Sequence, residues 1–304
     1  MKYEAIQDFS QEFSVRKMCK VLGLAESAYY QWLRRLENQM EKRKEEQNLA
    51  DYLRKIFEEN RMTYGYRRMH RAVLKKQDEL RKSDGLIPEF LNKDISEYKV
   101  RRLMQCNGMF PITWAKFKVY RKGKSDGRFL TNILNQEFNV KRPNEMWAGD
   151  ITYIRTVLGW VYLAVVVDLF NREVIGYRVS KTLDVELVKR ALVDALVKTN
   201  GGGENTVFHS DRGIQYASKS FQKMLEENHI EGSMSKSGCP YDNACVESFF
   251  STAKRECIYR KEYVTMEEVE IDLFEYIELF YNRKRMHGSL GYMSPIEYRQ
   301  KKAA

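Results

Sequence analysis

Three acidic residues each stand where an apolar segment meets a loop: Asp150, Asp211 and Glu247. Functional side chains collect at such junctions in α/β proteins. Carboxylate oxygens are also the ligands that hard divalent cations prefer. The spacing alone proves nothing, because a chain with 42 Asp and Glu residues contains many pairs at such distances by chance. The three surroundings, taken together and in this order, indicate one shared acidic site.

Glu247 falls on a predicted helix over 242–257. Residues three, four and seven apart share a helix face, and this face carries Asn243, Glu247, Phe250, Ser251 and Lys254. A polar face of this kind suits a carboxylate that reaches a metal ion and a lysine that reaches a phosphate. Alternatively, Glu247 is an ordinary exposed residue paired with Lys254. For Glu247 considered alone, the exposed residue is the preferred interpretation. Because the two aspartate blocks precede it in order, we assign Glu247 to the acidic site instead.

The elements that must position these acids follow from apolar patterning. Strands are predicted at 150–154, 160–170 and 173–179, with short links that favour an antiparallel meander. A helix over 184–198 begins at Asp184, which is a good N-cap. A short strand at 206–209 and a helix over 218–228 follow, and 233–240 is predicted to be a loop. Asp150 would head the first strand and Asp211 would end the fourth. This order is typical of an α/β, ribonuclease-H-like fold of the retroviral-integrase type.

Basic charge is concentrated at the start of the chain. Residues 1–140 hold 29 Lys and Arg against 19 Asp and Glu, which accounts for the whole formal net charge of +10. A surface of this sign attracts polyanions, although a merely solvated basic surface is the alternative. The basic residues that we expect to contact DNA lie on short helices beside aromatic residues. They are Arg67, Arg68, Arg71, Arg101 and Arg102, together with Lys254.

Five segments are predicted. Residues 1–40 form a small helical unit in which Gly23 separates two helices, the outline of a helix–turn–helix or of a plain helical hairpin. Residues 41–115 form a helix–turn–helix-like DNA-binding domain, and 116–140 form a linker. The α/β core that carries the three acids covers 141–260, and a helical segment covers 261–304.

Composition excludes other classes of protein. No apolar run is long enough to cross a membrane, and acidic residues interrupt the N-terminus where a secretory leader would be apolar. Five irregularly spaced cysteines indicate a reducing compartment. Asp168 is expected to form a structural ion pair with Arg172 or to cap a turn. His287 either contacts DNA or packs, and the block 281–298 is expected to pack against the core rather than touch target DNA.

The three acidic blocks resemble the integrase-type transposases of bacterial insertion sequences, specifically the downstream-frame subunit of insertion-sequence family three. Residues 64–68 and 100–104 resemble that family's helix–turn–helix region, and 281–298 resemble its C-terminal block. Lys254 matches a basic position of the family seven residues after the glutamate. The segment 78–97 is longer than usual for the family. The resemblance covers nearly the whole chain.

This resemblance implies an enzyme that cleaves DNA strands at the ends of the element and joins them to target DNA, without a covalent protein–DNA intermediate. Asp150, Asp211 and Glu247 would hold two Mg²⁺ (or Mn²⁺) ions, with Asp150 bridging them. The implied partners are duplex DNA, further copies of this chain and an upstream-frame OrfA-type subunit. The implied location is the bacterial cytoplasm, at the nucleoid. A nuclease of the same fold that cuts without joining, a DNA-binding regulator without catalysis and an RNA-directed ribonuclease are the competing hypotheses.

Overall fold

The computed structural model describes residues 1–83, 87–112, 140–203, 205–235 and 244–303. Almost all of the predicted linker over 116–140 and the predicted start of the helix at Asp242 lie outside these ranges. The chain divides into two compact units, one of residues 1–59 and 64–110 and the other of residues 60–63 and 111–304. No helix in the described ranges is long and apolar enough to cross a membrane.

The first unit is helical throughout its described part. Its helices are α1 (Lys2–Asp8), α2 (Val15–Leu22), α3 (Glu26–Glu59), α4 (Tyr66–Lys82), α5 (Glu89–Asn92) and α6 (Glu97–Cys106). The C-terminal part of α3 buries Leu49, Leu53 and Phe57 and packs against α4, α5 and α6. Ser96 caps α6, because its side chain accepts a hydrogen bond from Lys99 N at 3.2 Å.

The continuity of α3 differs from the predicted division of the chain, which placed a segment boundary at residue 40. Residues 34–40 expose every side chain except that of Leu36, so the stretch has little apolar surface to mark it as part of a packed helix. It consists mostly of Arg, Glu, Gln, Leu and Met, which are strong helix formers. Helix propensity therefore explains why α3 continues through the predicted boundary at residue 40.

The second unit contains a five-stranded sheet in the order β3-β2-β1-β4-β5. The strands are β1 (Met146–Thr156), β2 (Gly159–Asp168), β3 (Val174–Ser180), β4 (Val207–Ser210) and β5 (Glu231–Met234). The first three form the predicted antiparallel meander, and β4 and β5 run parallel to β1. The prediction of a mixed α/β fold of the ribonuclease-H type is confirmed. The prediction of a loop from residue 233 was wrong at its start, because β5 pairs with β4.

Five α-helices, a π-helical segment and the short 3-10 helices Ile258–Arg260 and Gly288–Leu290 belong to the described part of this unit. The α-helices and the π-helical segment are α7 (Val185–Thr199), α8 (Lys219–Glu227), α9 (Ala244–Glu256), α10 (Met266–Phe274), the π-helical segment Glu275–Tyr281 and α11 (Pro295–Ala303). Asp184 caps α7 as predicted, accepting from Leu187 N at 3.0 Å. The main core lies between one face of the sheet and helices α7 and α8, and includes Trp147, Leu192 and Phe221.

Candidate active site

Strand pairing places Asp150 and Asp211 beside each other. In the parallel register of β1 and β4, Gly149 lies opposite Ser210, and each aspartate is the next residue. Neighbouring strands lie about 4.8 Å apart, so the two acidic residues begin from adjacent backbone positions. Asp150 was predicted to head its strand, and this was wrong. The strand begins at Met146, because residues 146–149 gain hydrogen-bond partners from β4.

The pleat of β1 decides which side of the sheet these acids occupy. Trp147 and Ile151 face the core beneath α7 and α8. Successive side chains of a strand point to opposite faces, so Asp150 points to the other face. Helix α9 packs against β1 and β2, and none of its residues belongs to the core beneath α7 and α8. The face that carries Asp150 is therefore the face on which α9 lies.

Local hydrogen bonds orient both carboxylates. Oδ1 of Asp150 accepts from Ile151 N at 2.7 Å, and Oδ1 of Asp211 accepts from Gly213 N at 2.9 Å. A Cβ atom at Gly213 would lie 2.9 Å from Oδ1 of Asp211, so a side chain at this position would displace the Asp211 carboxylate. Both aspartates are half-buried, which leaves part of each carboxylate open to solvent.

Gly149 and Tyr216 lie on the core side of the sheet, next to the two aspartates. A Cβ at Gly149 would lie 2.5 Å from Cζ of Phe208 and 3.3 Å from the Tyr216 hydroxyl oxygen. Burial raises the pKa of Tyr216 well above its ordinary value, and the charges of Asp150 and Asp211 raise it further. The Tyr216 hydroxyl therefore lies within electrostatic reach of both carboxylates. No feature of the sequence pattern had distinguished Tyr216 from the other tyrosines.

The strand that the sequence missed fixes the backbone around Asp211. The buried ring of His209 makes hydrogen bonds of 2.9 Å to the Ser233 hydroxyl and 3.0 Å to the Ser235 hydroxyl. Arg212 Nε donates to the carbonyl of Ser235 at 2.7 Å. These contacts on both sides of Asp211 tie the end of β4 to β5. They also give the His209 ring a structural role.

Glu247 lies in the first turn of α9 and is exposed. Partial desolvation by the surrounding protein raises the pKa of Glu247 above its ordinary value. Two residues earlier, the thiol of Cys245 accepts a hydrogen bond from the guanidinium of Arg172. Arg172 lies in the link between β2 and β3. The start of α9 is thus attached to the sheet close to Glu247.

The remaining face of α9 agrees only in part with the sequence prediction. Ser251 is exposed and Lys254 is half-buried, two turns beyond Glu247. Phe250, which was assigned to the same face, is buried. The predicted polar face therefore lies at the edge of the helix contact with the sheet. Asn243 lies outside the described residues.

The other end of α9 is held by a buried ion pair. Glu256 accepts from Arg285 Nε at 2.7 Å and Nη2 at 2.8 Å, and from the Tyr276 hydroxyl at 2.9 Å. Burial alone lowers the pKa of Arg285, and the Glu256 carboxylate outweighs it and raises that pKa above its ordinary value. Glu256 is the last residue of α9, and a charged residue at a helix end is ordinarily assumed to be exposed, so the sequence did not predict this pair.

The C-terminal block packs against the core, as expected. The side chain of Asn282 accepts from Val174 N at 3.0 Å and donates to Val174 O at 2.9 Å, so it pairs with β3 as a further strand residue would. Arg299 in α11 contacts the fully buried Glu173 at 2.8 Å. The ring of His287 meets Tyr281 edge-on with centroids 4.9 Å apart. These contacts give His287 and its neighbours a packing role.

Asp168 caps a turn, which is one of its two expected structural roles. Its carboxylate accepts from Asn144 N at 3.0 Å and from Phe170 N at 2.9 Å. Burial raises the pKa of Asp168 to about 6, and the two backbone hydrogen bonds oppose that rise. The guanidinium of Arg172 is directed to Cys245 instead.

The basic residues expected to contact DNA surround aromatic rings in the first unit. The Tyr66 ring has the Arg67 guanidinium at 5.7 Å and that of Arg101 at 5.5 Å. Arg68 lies 5.9 Å from the centroid of the Tyr64 ring. Arg67, Arg71 and Arg101 are exposed, which leaves their charges accessible to phosphate.

Two of the candidate arginines form ion pairs, since Arg67 Nε lies 3.8 Å from Glu97 Oε1 and Arg102 pairs more closely with Glu46. A contact with DNA would therefore compete with an ion pair inside the first unit.

Metal ligation by all three acids together remains a prediction. In the described ranges, no three His, Cys, Asp or Glu side chains are grouped closely enough to hold a metal ion. The structure brings Asp150 and Asp211 together, and places α9 with Glu247 on the same face of the sheet. Paired carboxylates are suitable ligands for Mg²⁺ or Mn²⁺.

Comparison with known families matches three parts of the chain. Models described as "Integrase core domain" match residues 140–240 and 247–302, and a model described as "HTH-like domain" matches residues 43–116. The first match contains Asp150 and Asp211, and the second begins at Glu247.

Individual relatives agree with these matches. The chain is 36% identical over 304 residues to the transposase InsF of insertion sequence IS3A from Escherichia coli, covering 100% of both chains. It is 34% identical over 256 residues to the transposase of insertion sequence element IS904 from Lactococcus lactis, covering 84% of this chain and 94% of that one. A solved structure of the HTLV-2 integrase catalytic core domain in complex with magnesium is similar at a TM-score of 0.37 and 18% identity, covering 52% of this chain and 97% of that chain. The chain belongs to the transposases of the IS3 family of insertion sequences, which are polynucleotidyl transferases with an integrase core.

Proposed function

We propose that Asp150, Asp211 and Glu247 hold two divalent ions, Mg²⁺ or Mn²⁺, for the cleavage of DNA at insertion-sequence ends and the joining of those ends to target DNA. The observation that carries the proposal is the register of β1 and β4, which sets two aspartates side by side. Like charges this close repel each other, and a bound cation removes that repulsion. Glu247 joins them from α9, on the same face of the sheet.

The three acids would be the ligands of the ions. Asp150 would hold them from within β1 and Asp211 from the end of β4 beside it, with Glu247 contributing from α9. When bound, such a pair of ions activates the attacking water or 3′-hydroxyl and stabilises the leaving 3′ oxygen. The hydrogen bonds from Ile151 N and Gly213 N hold the two aspartates in place beforehand. Lys254 lies two turns from Glu247 and binds a DNA phosphate near the reacting bond.

The partners follow from the family and from the charge distribution. Arg67, Arg68, Arg71 and Arg101 contact phosphates of duplex DNA, and Arg102 does so on release from Glu46. Two ends must be brought together, so the active form contains more than one copy of this chain. An upstream-frame OrfA-type protein completes the enzyme, and the reaction takes place in the bacterial cytoplasm at the nucleoid.

The test compares single amide variants at the three acids in the complete insertion sequence. We expect Asp150→Asn, Asp211→Asn and Glu247→Gln each to lower the frequency of transposition in cells by more than about 100-fold, beyond the loss caused by removing an outer-shell partner. The exposed Glu226 supplies a matched control, and Glu226→Gln should transpose like the wild type. Full activity of any of the three variants would refute its assignment.

Metal binding gives an independent readout on the purified chain. Electron paramagnetic resonance should detect Mn²⁺ bound to the wild type and to Glu226→Gln. Asp150→Asn should bind it far more weakly. Equal Mn²⁺ binding by Asp150→Asn and the wild type would contradict the metal site, whatever the activity.

A further inference from the structure

The first 35 residues fold into a small unit with its own core. Ile6, Cys19 and Tyr29 are buried at its centre, one from each of α1, α2 and α3. The rings of Tyr3 and Trp32 stack with centroids 5.5 Å apart. One face of the first turns of α3 is thereby fixed against α1 and α2. The opposite face of these turns is held in a defined orientation toward solvent.

The connection between α2 and α3 is a tight turn. Gly23 adopts the left-handed conformation with φ of +65°, which glycine reaches without steric cost. Leu24 N then donates to the carbonyl of Cys19 at 2.9 Å. Only Leu24 and Ala25 follow before α3 begins. A short helix, a glycine turn and a second helix packed on the first make a helix–turn–helix.

The solvent face of α3 carries side chains that read base edges. Ser27, Tyr30, Gln31 and Arg34 are all exposed, and spacings of three, four and seven residues put them on one side of the helix. Glutamine pairs with adenine and arginine with guanine through two hydrogen bonds each. Serine donates to or accepts from either base or phosphate.

The charge around this face is complementary to DNA. Residues 14–36 contain five Lys and Arg and a single acidic residue, Glu26. Arg16, Lys17 and Lys20 on α2 are exposed, as is Arg35 on α3. In a helix–turn–helix, the first helix crosses the phosphate backbone while the second enters the major groove. The basic residues of α2 therefore lie on the helix that meets phosphates.

We propose that residues 14–36 form a second DNA-reading module, in which α3 enters the major groove through Ser27, Gln31 and Arg34. It is distinct from the HTH-like domain matched at residues 43–116. The inference rests on the proposed function only in taking duplex DNA as the substrate. It adds a second sequence-reading contact to the same chain.

The two modules are separated along α3. From Tyr30 to the buried Leu53, against which the HTH-like helices pack, there are 23 residues on one continuous helix. At 1.5 Å per residue this is about 35 Å, a distance comparable with one helical turn of duplex DNA. The two modules are therefore far enough apart to contact separate parts of the same element end.

The test measures binding of the purified full chain to a fluorescein-labelled duplex of about 50 base pairs that carries the terminal sequence of its own element. The double variant Gln31→Ala/Arg34→Ala should bind about 10- to 100-fold more weakly, because two base contacts are lost. Hydroxyl-radical footprinting should show protection shortened by about one helical turn. The control Gln39→Ala/Arg43→Ala removes the same residue types from exposed positions of the same helix, and should bind within about twofold of the wild type.

The outcomes separate this inference from the catalytic proposal. An unchanged footprint with Gln31→Ala/Arg34→Ala, or an equal loss of affinity in the control, overturns the second module. Equal weakening on a duplex of scrambled sequence also overturns it, because base reading would then be absent. Asp150→Asn should keep the full footprint and affinity while transposition is lost. Circular dichroism should show the same helix content in every variant, since all the replaced side chains are exposed.

Discussion

Removal of Arg285 is the sharpest test of how α9 is held in place. In the Arg285→Ala variant, Glu256 keeps its charge and loses both guanidinium hydrogen bonds, of 2.7 and 2.8 Å. The Glu256 side chain is 1% exposed and that of Arg285 is 7% exposed, so water cannot replace the lost partner. Only the Tyr276 hydroxyl still donates to the carboxylate. The variant therefore leaves a charge buried without its counter-ion.

The expected cost follows from this burial. Breaking a buried ion pair by removing one partner destabilises a protein by about 3–5 kcal/mol. At about 1.4 kcal/mol for each factor of ten, a loss of 3 kcal/mol raises the population of the opened state about 100-fold. Because α9 carries Glu247, we expect transposition to fall as well. The catalytic residues themselves remain unchanged in this variant.

Hydrogen exchange followed by mass spectrometry measures this directly on peptides of α9. Amides that exchange by opening of the second unit should do so about 100-fold faster in Arg285→Ala. The exposed pair of Lys223 and Glu227, at 3.6 Å, gives the control. Lys223→Ala should cost only about 0.3–0.5 kcal/mol, which is about twofold.

Two further results bear on the reasoning. Replacing both charges at once, in Glu256→Leu/Arg285→Met, should recover much of the lost protection, because no unpaired charge stays buried. Less than a tenfold acceleration of exchange in Arg285→Ala would refute the claim that this pair anchors α9. It would show that Glu256 finds another partner or reaches solvent.

Three other predictions follow from single contacts. Gly149→Ala should destabilise the second unit by about 1–3 kcal/mol, measured by urea unfolding, since its Cβ would lie 2.5 Å from Phe208 Cζ; an unchanged midpoint would contradict this crowding. Asn282→Asp should destabilise it by about 1–3 kcal/mol, since a carboxylate cannot donate to the carbonyl of Val174, and thermal unfolding at pH 7 would show no shift if that bond were unimportant. Asp168 has a pKa raised from 3.8 to about 6 in the folded state, so its contribution to stability is full below pH 4 and is lost as pH rises through 6. At about 1.4 kcal/mol per pKa unit, that loss is about 3 kcal/mol. The measurement is the free energy of unfolding of the wild type and of Asp168→Asn at several pH values. Parallel curves for the two proteins between pH 4 and 6 would contradict the prediction.

Apolar patterning predicted most of the second unit. Strands β1 to β4 and helices α7 to α9 coincide with predicted elements to within a few residues, because their apolar residues repeat with the period of the element. Strand β5 escaped prediction since Glu231-Gly232-Ser233-Met234 has no apolar alternation. Its partner is β4, and the pairing of β4 with β1 also explains why β1 begins four residues before Asp150.

The candidate site was predicted only as far as residue types allow. The three acidic residues were selected from their local surroundings, and the structure brings two of them together through strand register. The residues that hold them in place, such as His209, Tyr216 and Arg285, were not selected for that purpose. A buried charge or a histidine held by two serine hydroxyls depends on distant parts of the chain. Local patterns carry no information about such contacts.

The arrangement of the C-terminal block argues that it belongs to the catalytic core as a structural part. Three separate links join it to elements around the acids: Asn282 to β3, Arg299 to Glu173 and Arg285 to Glu256. The links of Arg299 to Glu173 and of Arg285 to Glu256 each bury charge. If the block left the core to bind target DNA, the buried carboxylates would lose their partners. Breaking even one such pair costs about 3–5 kcal/mol, a large fraction of the stability of an ordinary domain. The block therefore acts by holding α9, and with it Glu247, against the sheet that carries Asp150.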